Sequence, residues 1–438
     1  MDSPASDPGD ATVRKVTLHL LPFLFLLYIV AYLDRVNFGY AALQMNSSLG
    51  IGAELFGFLS GIFFIGYLIF EVPSNIILQK IGARIWIARI LISWGIIVII
   101  TGFAQDALQL TVLRFLLGIA EAGFFPGVIY YVTRWFPARD LARAVALFMT
   151  ALTLANIAGA PVSTWILDNI AWLGLEGWRW LFILEGFPAV ILGAVTFFIL
   201  TDSPKDARWL RTEEKAWLIS EIARERKEPT GKNPESLMEM LRNPRVWHLA
   251  VIYCMLTIGL YGIAFWMPQI IKGMETGATN FEIGLITVIP YGAAAVAMIL
   301  WSRHSDRTLE RRYHTAIPPM LGGIGMIGSA LAPNPVIAIL MLTLATVGIF
   351  CTFGPFWTLP PIFLAGSAAA VGIAVVNSIG NFGGFVGPSA VGLLTQITGD
   401  TRAGLAVLGL ALLFGGFAVL ALKGATMKRT GSDMKKIP

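Results

Sequence analysis

The chain has 438 residues, of which 56% are hydrophobic and only 13% are charged, and its mean hydropathy is +0.71. Soluble globular proteins contain about 45–50% apolar and about 25% charged residues, so this composition excludes a water-soluble globular fold. The net charge of +5 would suggest nucleic-acid binding in a soluble chain, but in a membrane protein an excess of Lys and Arg reports orientation. We therefore expect the lipid bilayer, and no nucleic acid, as a partner.

Enzymatic and metal-dependent chemistry find no support in the sequence. The two cysteines, Cys254 and Cys351, lie in apolar stretches, where neither a disulfide framework nor a thiolate metal site is expected. The four histidines are scattered, and no span contains a pair of nucleophile and base. We predict a protein that is not an enzyme and that needs no cofactor.

Long apolar runs, taken in chain order, predict twelve membrane-spanning helices. The only long polar stretch separates the first six runs from the last six. The predicted domains are a cytoplasmic tail (1–17), a six-helix bundle (18–200), a cytoplasmic loop with short helices (201–245), a second six-helix bundle (246–424) and a cytoplasmic tail (425–438). The predicted spans are residues 18–41, 54–78, 84–104, 107–131, 141–167, 178–200, 246–271, 281–301, 314–332, 335–359, 366–397 and 403–423.

The distribution of Lys and Arg predicts the orientation of the chain. On one side of the predicted membrane lie 27 of the 32 basic residues, and on the other side only Arg179, Lys272 and Arg402. Because Lys and Arg concentrate in cytoplasmic loops, we expect both termini and the central loop to be cytoplasmic.

Short matches between the two halves indicate an internal repeat. Asn156 and Gly159 in the fifth span have the same spacing as Asn381 and Gly384 in the eleventh. Repeats of this kind predict a binding site between the halves, near the middle of the membrane. The expected fold class is therefore an all-α polytopic membrane protein, with twelve transmembrane helices in two pseudo-symmetric six-helix bundles.

Six charged residues lie more than five residues from either end of a predicted span, and charges inside a membrane are costly enough to be interpreted as functional. Arg114 and Glu121 are seven residues apart and therefore share one face of a helix, with Gly118 between them leaving room for a ligand or a neighbouring side chain. Asp34 and Arg35 are adjacent and must diverge, so we expect Arg35 to face a cavity and Asp34 to face a neighbouring helix, with helix 4 as the candidate. The six residues are Asp34, Arg35, Glu71, Arg114, Glu121 and Glu185.

Electrostatics give this cluster a function. Four of the charges, Asp34, Arg35, Arg114 and Glu121, sum to zero when both carboxylates are ionised. Protonation of both acids leaves two guanidinium groups for an anion, which couples anion binding to proton binding. The alternative is a structural ion-pair cluster that joins helices 1 and 4. This alternative is less favoured because the desolvation of a buried ion pair can cost more free energy than the attraction between the charges provides.

Uncharged polar residues in the spans extend the predicted site. The substrate-binding set is Arg35, Arg114, Tyr32, Tyr67, Asn156, Tyr261, Asn377 and Asn381. The two asparagines of the eleventh span are one turn apart on one face, and an interhelical hydrogen bond is an equally good interpretation of them. Glu71 is interpreted as a helix-end or gate contact, and Glu185 is left outside the site.

Three segments resemble the anion:cation symporter family of the major facilitator superfamily, and most closely its phthalate and tartrate transporter branch. They are residues 32–43 (YLDRVNFGYAAL), 114–149 (RFLLGIAEAGFFPGVIYYVTRWFPARDLARAVALFM) and 177–186 (GWRWLFILEG). The resemblance implies alternating access and proton-driven uptake of organic anions. By position it implies Asp34 and Glu121 as protonation sites, Arg35 and Arg114 as anion-binding residues, and Tyr32, Tyr67 and Asn381 as substrate contacts.

The sequence departs from the family in two places. The loop between the second and third spans lacks the acid that the superfamily signature expects, whereas the equivalent loop of the second half keeps Asp306 and Arg307, which we assign to gating with Glu71. Leu152 occupies a position where sugar-acid transporters carry an amide, with Asn156 one turn further on. This difference disfavours a polyhydroxylated sugar acid as substrate.

The sequence thus predicts a proton-coupled symporter that imports an organic anion, a dicarboxylate such as tartrate or phthalate. We expect a functional monomer in a bacterial-type inner membrane, with the anion and protons as its small partners. One alternative is a symporter for a sugar acid such as glucarate or galactonate. Another is a membrane sensor that binds an anion without transporting it.

Overall fold

A computed structural model describes residues 8–227, 237–274, 277–308, 310–360 and 367–422. Within these ranges the regular structure is helical and contains no β-strand. The predicted C-terminal tail, part of the central loop and the first seven residues of the predicted N-terminal tail lie outside the described residues.

Up to Arg242 the described residues contain ten α-helices. Helix α1 is much longer than the predicted first span and begins inside the predicted N-terminal tail. The bounds are α1 Pro8–Leu49, α2 Ala53–Ile81, α3 Ala83–Thr101, α4 Ala107–Glu121, α5 Phe124–Thr133, α6 Ala138–Met149, α7 Ala151–Asn169, α8 Gly177–Ile199, α9 Thr212–Lys227 and α10 Leu237–Arg242.

The second half contributes seven described helices. Two of them, α15 and α16, fall within the single predicted span 366–397 and are separated at Phe382. The bounds are α11 Pro244–Met274, α12 Asn280–Thr308, α13 Arg312–Ala330, α14 Pro335–Phe356, α15 Ser367–Asn381, α16 Gly383–Thr398 and α17 Arg402–Leu420.

Local sequence signals mark several helix ends. The Asp106 side chain accepts a hydrogen bond of 2.8 Å from the backbone N–H of Gln109 and caps α4. Asn334 caps α14 in the same way, and Pro335 follows it at the first helical position. Such caps satisfy N–H groups that a helix start leaves without an intrahelical partner.

The predicted fourth span is interrupted directly after Glu121. Gly123 has a φ of +86°, a left-handed conformation that L side chains adopt at a cost, and it ends α4 and begins α5. A Cβ at this position would also lie 2.8 Å from the Cβ of Ser74 on α2. The interruption places Glu121 at the last residue of α4, which sequence periodicity did not indicate.

Ten helical segments of the described chain are long and apolar enough to cross a membrane. They correspond to ten of the twelve predicted spans. The remaining two predictions coincide with α13 and with the pair α15 and α16. Large apolar side chains such as Phe198 and Leu108, which are 88% and 73% exposed, would be unfavourable in water but suit a lipid environment.

The chain forms two compact units. The first comprises Met1–Gly52, Leu59–Pro229 and Gly277–Val288, and the second comprises Ala53–Phe58, Thr230–Thr276 and Ile289–Pro438. This division differs from the predicted domains, because the first unit includes much of the central loop and the start of α12. In the first unit α3 packs on α8 and α1 packs on α7; in the second, α13 packs on α14 and α17.

Candidate functional site

The centre of the first unit contains a buried ion pair. The Arg35 guanidinium on α1 donates to the Glu121 carboxylate at the end of α4. Side-chain exposure is 11% for Arg35 and 2% for Glu121, so little water screens the attraction between them. The structure therefore joins two of the four charges that the sequence grouped together.

Arg114 contributes a second positive charge to this region. Its guanidinium donates to the carbonyl oxygens of Leu59 (3.2 Å) and Ser60 (3.4 Å) on α2. It lies 4.4 Å from the Phe38 ring centre, and it interacts electrostatically with Glu121 and Arg35. Backbone carbonyls and an aromatic face hold this cation in place, so Arg35, Arg114 and Glu121 form one electrostatic group.

Aromatic rings surround this group on the α2 side. The Arg35 guanidinium carbon lies 5.3 Å from the Phe63 ring centre and 5.7 Å from the Tyr67 ring centre. Tyr32 and Tyr67 are both buried. Tyr67 thus lies next to the predicted anion-binding arginine, as its assignment to the site requires.

Gly118 does not leave room for a ligand. A Cβ at this position would collide with the backbone carbonyl of Phe63 on α2. The space on this face of α4 is therefore filled by the backbone of the neighbouring helix, because glycine lets the two backbones approach closely.

Asp34 lies apart from the arginine group. Its Oδ2 accepts a hydrogen bond of 2.7 Å from the indole N–H of Trp94, so the neighbouring helix that it faces is α3 rather than the fourth span. Adjacent residues on a helix diverge by about 100°, which explains why Asp34 and Arg35 have different surroundings. The structure therefore separates the two predicted protonation sites.

Glu185 on α8, which the sequence analysis left outside the site, belongs to the surroundings of Asp34. It is 8% exposed, accepts a hydrogen bond of 2.6 Å from Ser163 and interacts electrostatically with Asp34. Asn37, which is fully buried, lies beside it. Asn37 was not among the residues predicted from the sequence, although its spacing of three residues from Asp34 places both on one face of α1.

Two other predicted residues of the first unit have local contacts. The Asn156 amide donates to the carbonyl of Leu152, one turn earlier in α7. Glu71 is buried on α2, and its backbone carbonyl accepts a hydrogen bond from Asn75. Neither contact tests the predicted roles in substrate binding and gating.

The second unit holds the remaining predicted substrate contacts. Tyr261 is buried on α11, and Asn377 and Asn381 are buried near the end of α15. These two helices pack together, and the Thr257 hydroxyl on α11 donates to the Gly380 carbonyl on α15 at 2.5 Å. The structure thus brings the elements that carry these polar residues into contact.

Asp306 and Arg307, the predicted gating residues of the second half, have different surroundings. Asp306 forms an ion pair of 2.8 Å with Arg311, which also donates to the Ser305 hydroxyl. Arg307 is exposed. In the first half, Asp202 accepts a hydrogen bond of 2.9 Å from the backbone N–H of Arg84. Asp202 follows the sixth predicted span, and it contacts the loop between the second and third spans, which has no acidic residue of its own at the signature position.

The described residues contain no group of three or more His, Cys, Asp or Glu side chains that could hold a metal ion.

Comparison with known proteins identifies the family. The profile of the Major Facilitator Superfamily matches residues 24–388. A relative from Agrobacterium vitis named "Putative tartrate transporter" is 47% identical, over 91% of this chain and 92% of the relative. A Pseudomonas putida relative named "Putative metabolite transport protein NicT" is 42% identical, over 96% of each chain.

The fold also has solved counterparts. The xylose transporter XylE from E. coli, in a partially occluded inward-open conformation, matches with a TM-score of 0.76, 15% sequence identity and coverage of 95% of this chain and 100% of that one. At this identity the match concerns the fold. The chain belongs to the Major Facilitator Superfamily, and it is a multi-pass membrane transporter. The resemblance to the anion-transporting branch and the predicted fold class are both confirmed.

Proposed function

We propose that this protein imports an organic anion, a dicarboxylate such as tartrate or phthalate, together with protons. The observation that carries the proposal is the buried pair of Arg35 and Glu121, with Arg114 in the same electrostatic group. Two relatives at 47% and 46% identity, both named "Putative tartrate transporter", support the substrate class.

The coupling follows from the charge balance of this group. With Glu121 ionised, Arg35, Arg114 and Glu121 carry one net positive charge. Protonation of Glu121 removes the anionic partner of Arg35 and leaves two guanidinium groups for a dianion. Arginine matches a carboxylate through two parallel hydrogen bonds, so the proton and the anion favour the same state.

Alternating access then produces net import. The protonated, anion-loaded protein exposes the site to the cytoplasm, where loss of the proton returns Glu121 to Arg35 and displaces the anion. Because the cycle needs one chain only, we expect a functional monomer. We place it in a bacterial-type inner membrane with both termini in the cytoplasm, as the distribution of basic residues predicts.

Uptake of labelled tartrate and phthalate into proteoliposomes tests the proposal. We expect accumulation under an inward proton gradient and its loss on addition of a protonophore. Arg35→Gln should abolish uptake, whereas the matched control Arg224→Gln, at an exposed position on α9, should leave it unchanged.

Three outcomes would contradict the proposal. Accumulation driven by a sodium gradient alone would refute proton coupling. Saturable binding without uptake under any gradient would favour the anion sensor. Strong competition by glucarate or galactonate, with weak competition by phthalate, would favour a sugar-acid symporter.

A further inference from the structure

The two faces of α1 carry two chemically different groups of side chains. On one face Arg35 pairs with Glu121. On another face Asp34 accepts a hydrogen bond from Trp94 on α3, and Asn37 follows one turn later. The second face is not used by the proposed anion site, although Asp34 and Glu121 interact electrostatically across the helix.

Glu185 projects from α8 into this second group. Ser163 on α7 donates to its Oε1, while its Oε2 is buried without a hydrogen-bond partner. In the described part of the chain, no basic side chain forms an ion pair with it. An ionised carboxylate in a membrane span is costly when no cation accompanies it.

Three further buried polar atoms in the same place lack hydrogen-bond partners. They are Oδ1 of Asp34 and both Oδ1 and Nδ2 of Asn37. Asp34 and Asn37 share a face of α1 because they are three residues apart. Asp34 interacts electrostatically with Glu185, and the Asn37 side chain interacts weakly with the Glu185 carboxyl group, without the geometry of a formed hydrogen bond. Buried polar groups are nearly always hydrogen-bonded, so these four atoms call for an additional hydrogen-bond donor among the three side chains.

We infer that Glu185 is a second proton-binding group of the transporter and that Asn37 connects it to Asp34. A proton on Glu185 Oε2 supplies a donor for Asn37 Oδ1. Asn37 Nδ2 can then donate to Asp34 Oδ1 after side-chain rotation. One proton thereby completes a hydrogen-bonded chain from Ser163 through Glu185, Asn37 and Asp34 to Trp94.

The hydrogen-bonded chain links the protonation of Glu185 to the charge of Asp34. Loss of the proton from Glu185 would leave its charge close to Asp34, and among the described residues no basic side chain forms an ion pair with either carboxylate. Tyr40 on α1 also interacts electrostatically with Glu185, and Glu121 on α4 interacts with Asp34. Helices α3 and α7 contribute Trp94 and Ser163, which do not titrate. Two neighbouring acids cannot easily ionise together, so the state of Glu185 is linked to that of Asp34.

The inference rests on the proposed function and adds a proton to its cycle. Glu121 binds its proton together with the anion, whereas Glu185 and Asp34 share a further proton on the face of α1 away from the arginines. The two kinds of proton site are therefore separate, and the second is available while the anion occupies the first.

Infrared spectroscopy of the purified protein tests the protonation without any substrate. We expect wild type at neutral pH to show a carboxylic-acid C=O band that is sensitive to deuterium exchange. Glu185→Gln should remove intensity from this band, and the matched control Glu176→Gln, at the partly exposed start of α8, should not. Asn37→Leu should shift the band, because it removes the acceptor. Identical spectra for wild type and Glu185→Gln at every pH would overturn the inference.

Transport stoichiometry provides the second test. In proteoliposomes with clamped membrane potential, the slope of log tartrate accumulation against the pH gradient gives the number of coupled protons. Glu185→Gln should lower this slope by about one relative to wild type, while Glu176→Gln leaves it unchanged. An unchanged slope for Glu185→Gln would refute the coupling role of Glu185 and leave proton-driven uptake established. A wild-type protein without proton-driven accumulation would instead refute the proposed function, and the infrared result would still decide the protonation of Glu185.

Discussion

At the scale of single residues, the position of each charge on its helix decides its role. Arg35 and Asp34 are neighbours in the chain, yet one pairs with Glu121 and the other with Trp94. The angular spacing of the α-helix gives each residue its own surroundings. Different partners offset the free-energy cost of burying each charge. Substitutions of Arg35 and of Asp34 should therefore change different properties of the transporter.

Glu121→Gln should uncouple the transporter while preserving its binding site. Glutamine keeps the size of the side chain and can still accept a hydrogen bond from Arg35, but it cannot exchange a proton. In wild type, the ratio of internal to external tartrate should rise about tenfold per coupled proton for each unit of pH gradient. In the variant, this ratio should stay at about 1. Uptake and counterflow exchange in proteoliposomes measure both properties.

Counterflow exchange should remain measurable in this variant, and Glu54→Gln, exposed near the start of α2, should behave as wild type. Loss of exchange together with accumulation would mean that Glu121 contributes more than a proton site.

At the scale of elements, the interruption between α4 and α5 fixes the position of Glu121. Gly123 combines a positive φ with close contact to Ser74, whereas Gly50 has a φ of +63° and nothing within 4 Å of its Cβ position. Alanine substitutions at Gly50 and Gly123 therefore distinguish the free-energy cost of the backbone conformation from that of a steric collision.

Gly50→Ala should destabilise the protein by about 1 kcal/mol, the cost of a left-handed L residue. Gly123→Ala should cost more, by about 1–3 kcal/mol, because it also crowds α2 against α5. Thermal unfolding in detergent checks the difference. Equal melting temperatures for the two variants would mean that α2 accommodates the added methyl group.

Helix α9 of the central loop is attached to α1 by an ion pair. The Lys15 ammonium lies 2.8 Å from Glu214. This contact and the backbone N–H of Arg211 lower the pKa of Glu214 below its ordinary value. A lowered folded-state pKa means that the stabilisation is present above the unfolded-state pKa and is lost as the pH falls through the folded-state value.

Glu214→Gln should therefore increase hydrogen exchange in α9 at pH 7. Because both side chains are partly exposed, the pair is worth about 0.2–1 kcal/mol, which corresponds to an increase of up to about fivefold. The difference from wild type should disappear below the lowered pKa of Glu214. Glu213→Gln, one residue earlier, is the control, and an equal effect of both variants would exclude a specific role for the ion pair.

At the scale of the whole molecule, 27 of the 32 basic residues lie on one predicted side of the membrane. We expect alkaline phosphatase fused after Gly174 to be active and the same enzyme fused after Arg211 to be inactive, with activities that differ by about tenfold or more. Phosphatase needs the oxidising extracytoplasmic side to fold. The reverse pattern would refute the predicted orientation.

The sequence by itself determined the class of the protein. Hydropathy and the length of the apolar runs indicate the class, because the backbone polar groups of a segment that crosses the bilayer in this way must be hydrogen-bonded within a helix. Charges inside spans marked Arg35, Arg114 and Glu121 as functional candidates, because such charges are costly unless they are used. Helical periodicity also indicated that Asp34 and Arg35 point in different directions.

Only the tertiary structure decided which residues are partners. Periodicity gives the face of a helix but not the neighbouring helix that covers it, so the contacts of Asp34 with Trp94 and of Glu185 with Ser163 could not be derived from spacing. The space beside Gly118 was likewise indicated by the sequence, whereas its occupation by the backbone of α2 depends on how two helices approach. Partners of buried charges are set by packing between segments far apart in the chain, and a single sequence does not encode these contacts in any local pattern.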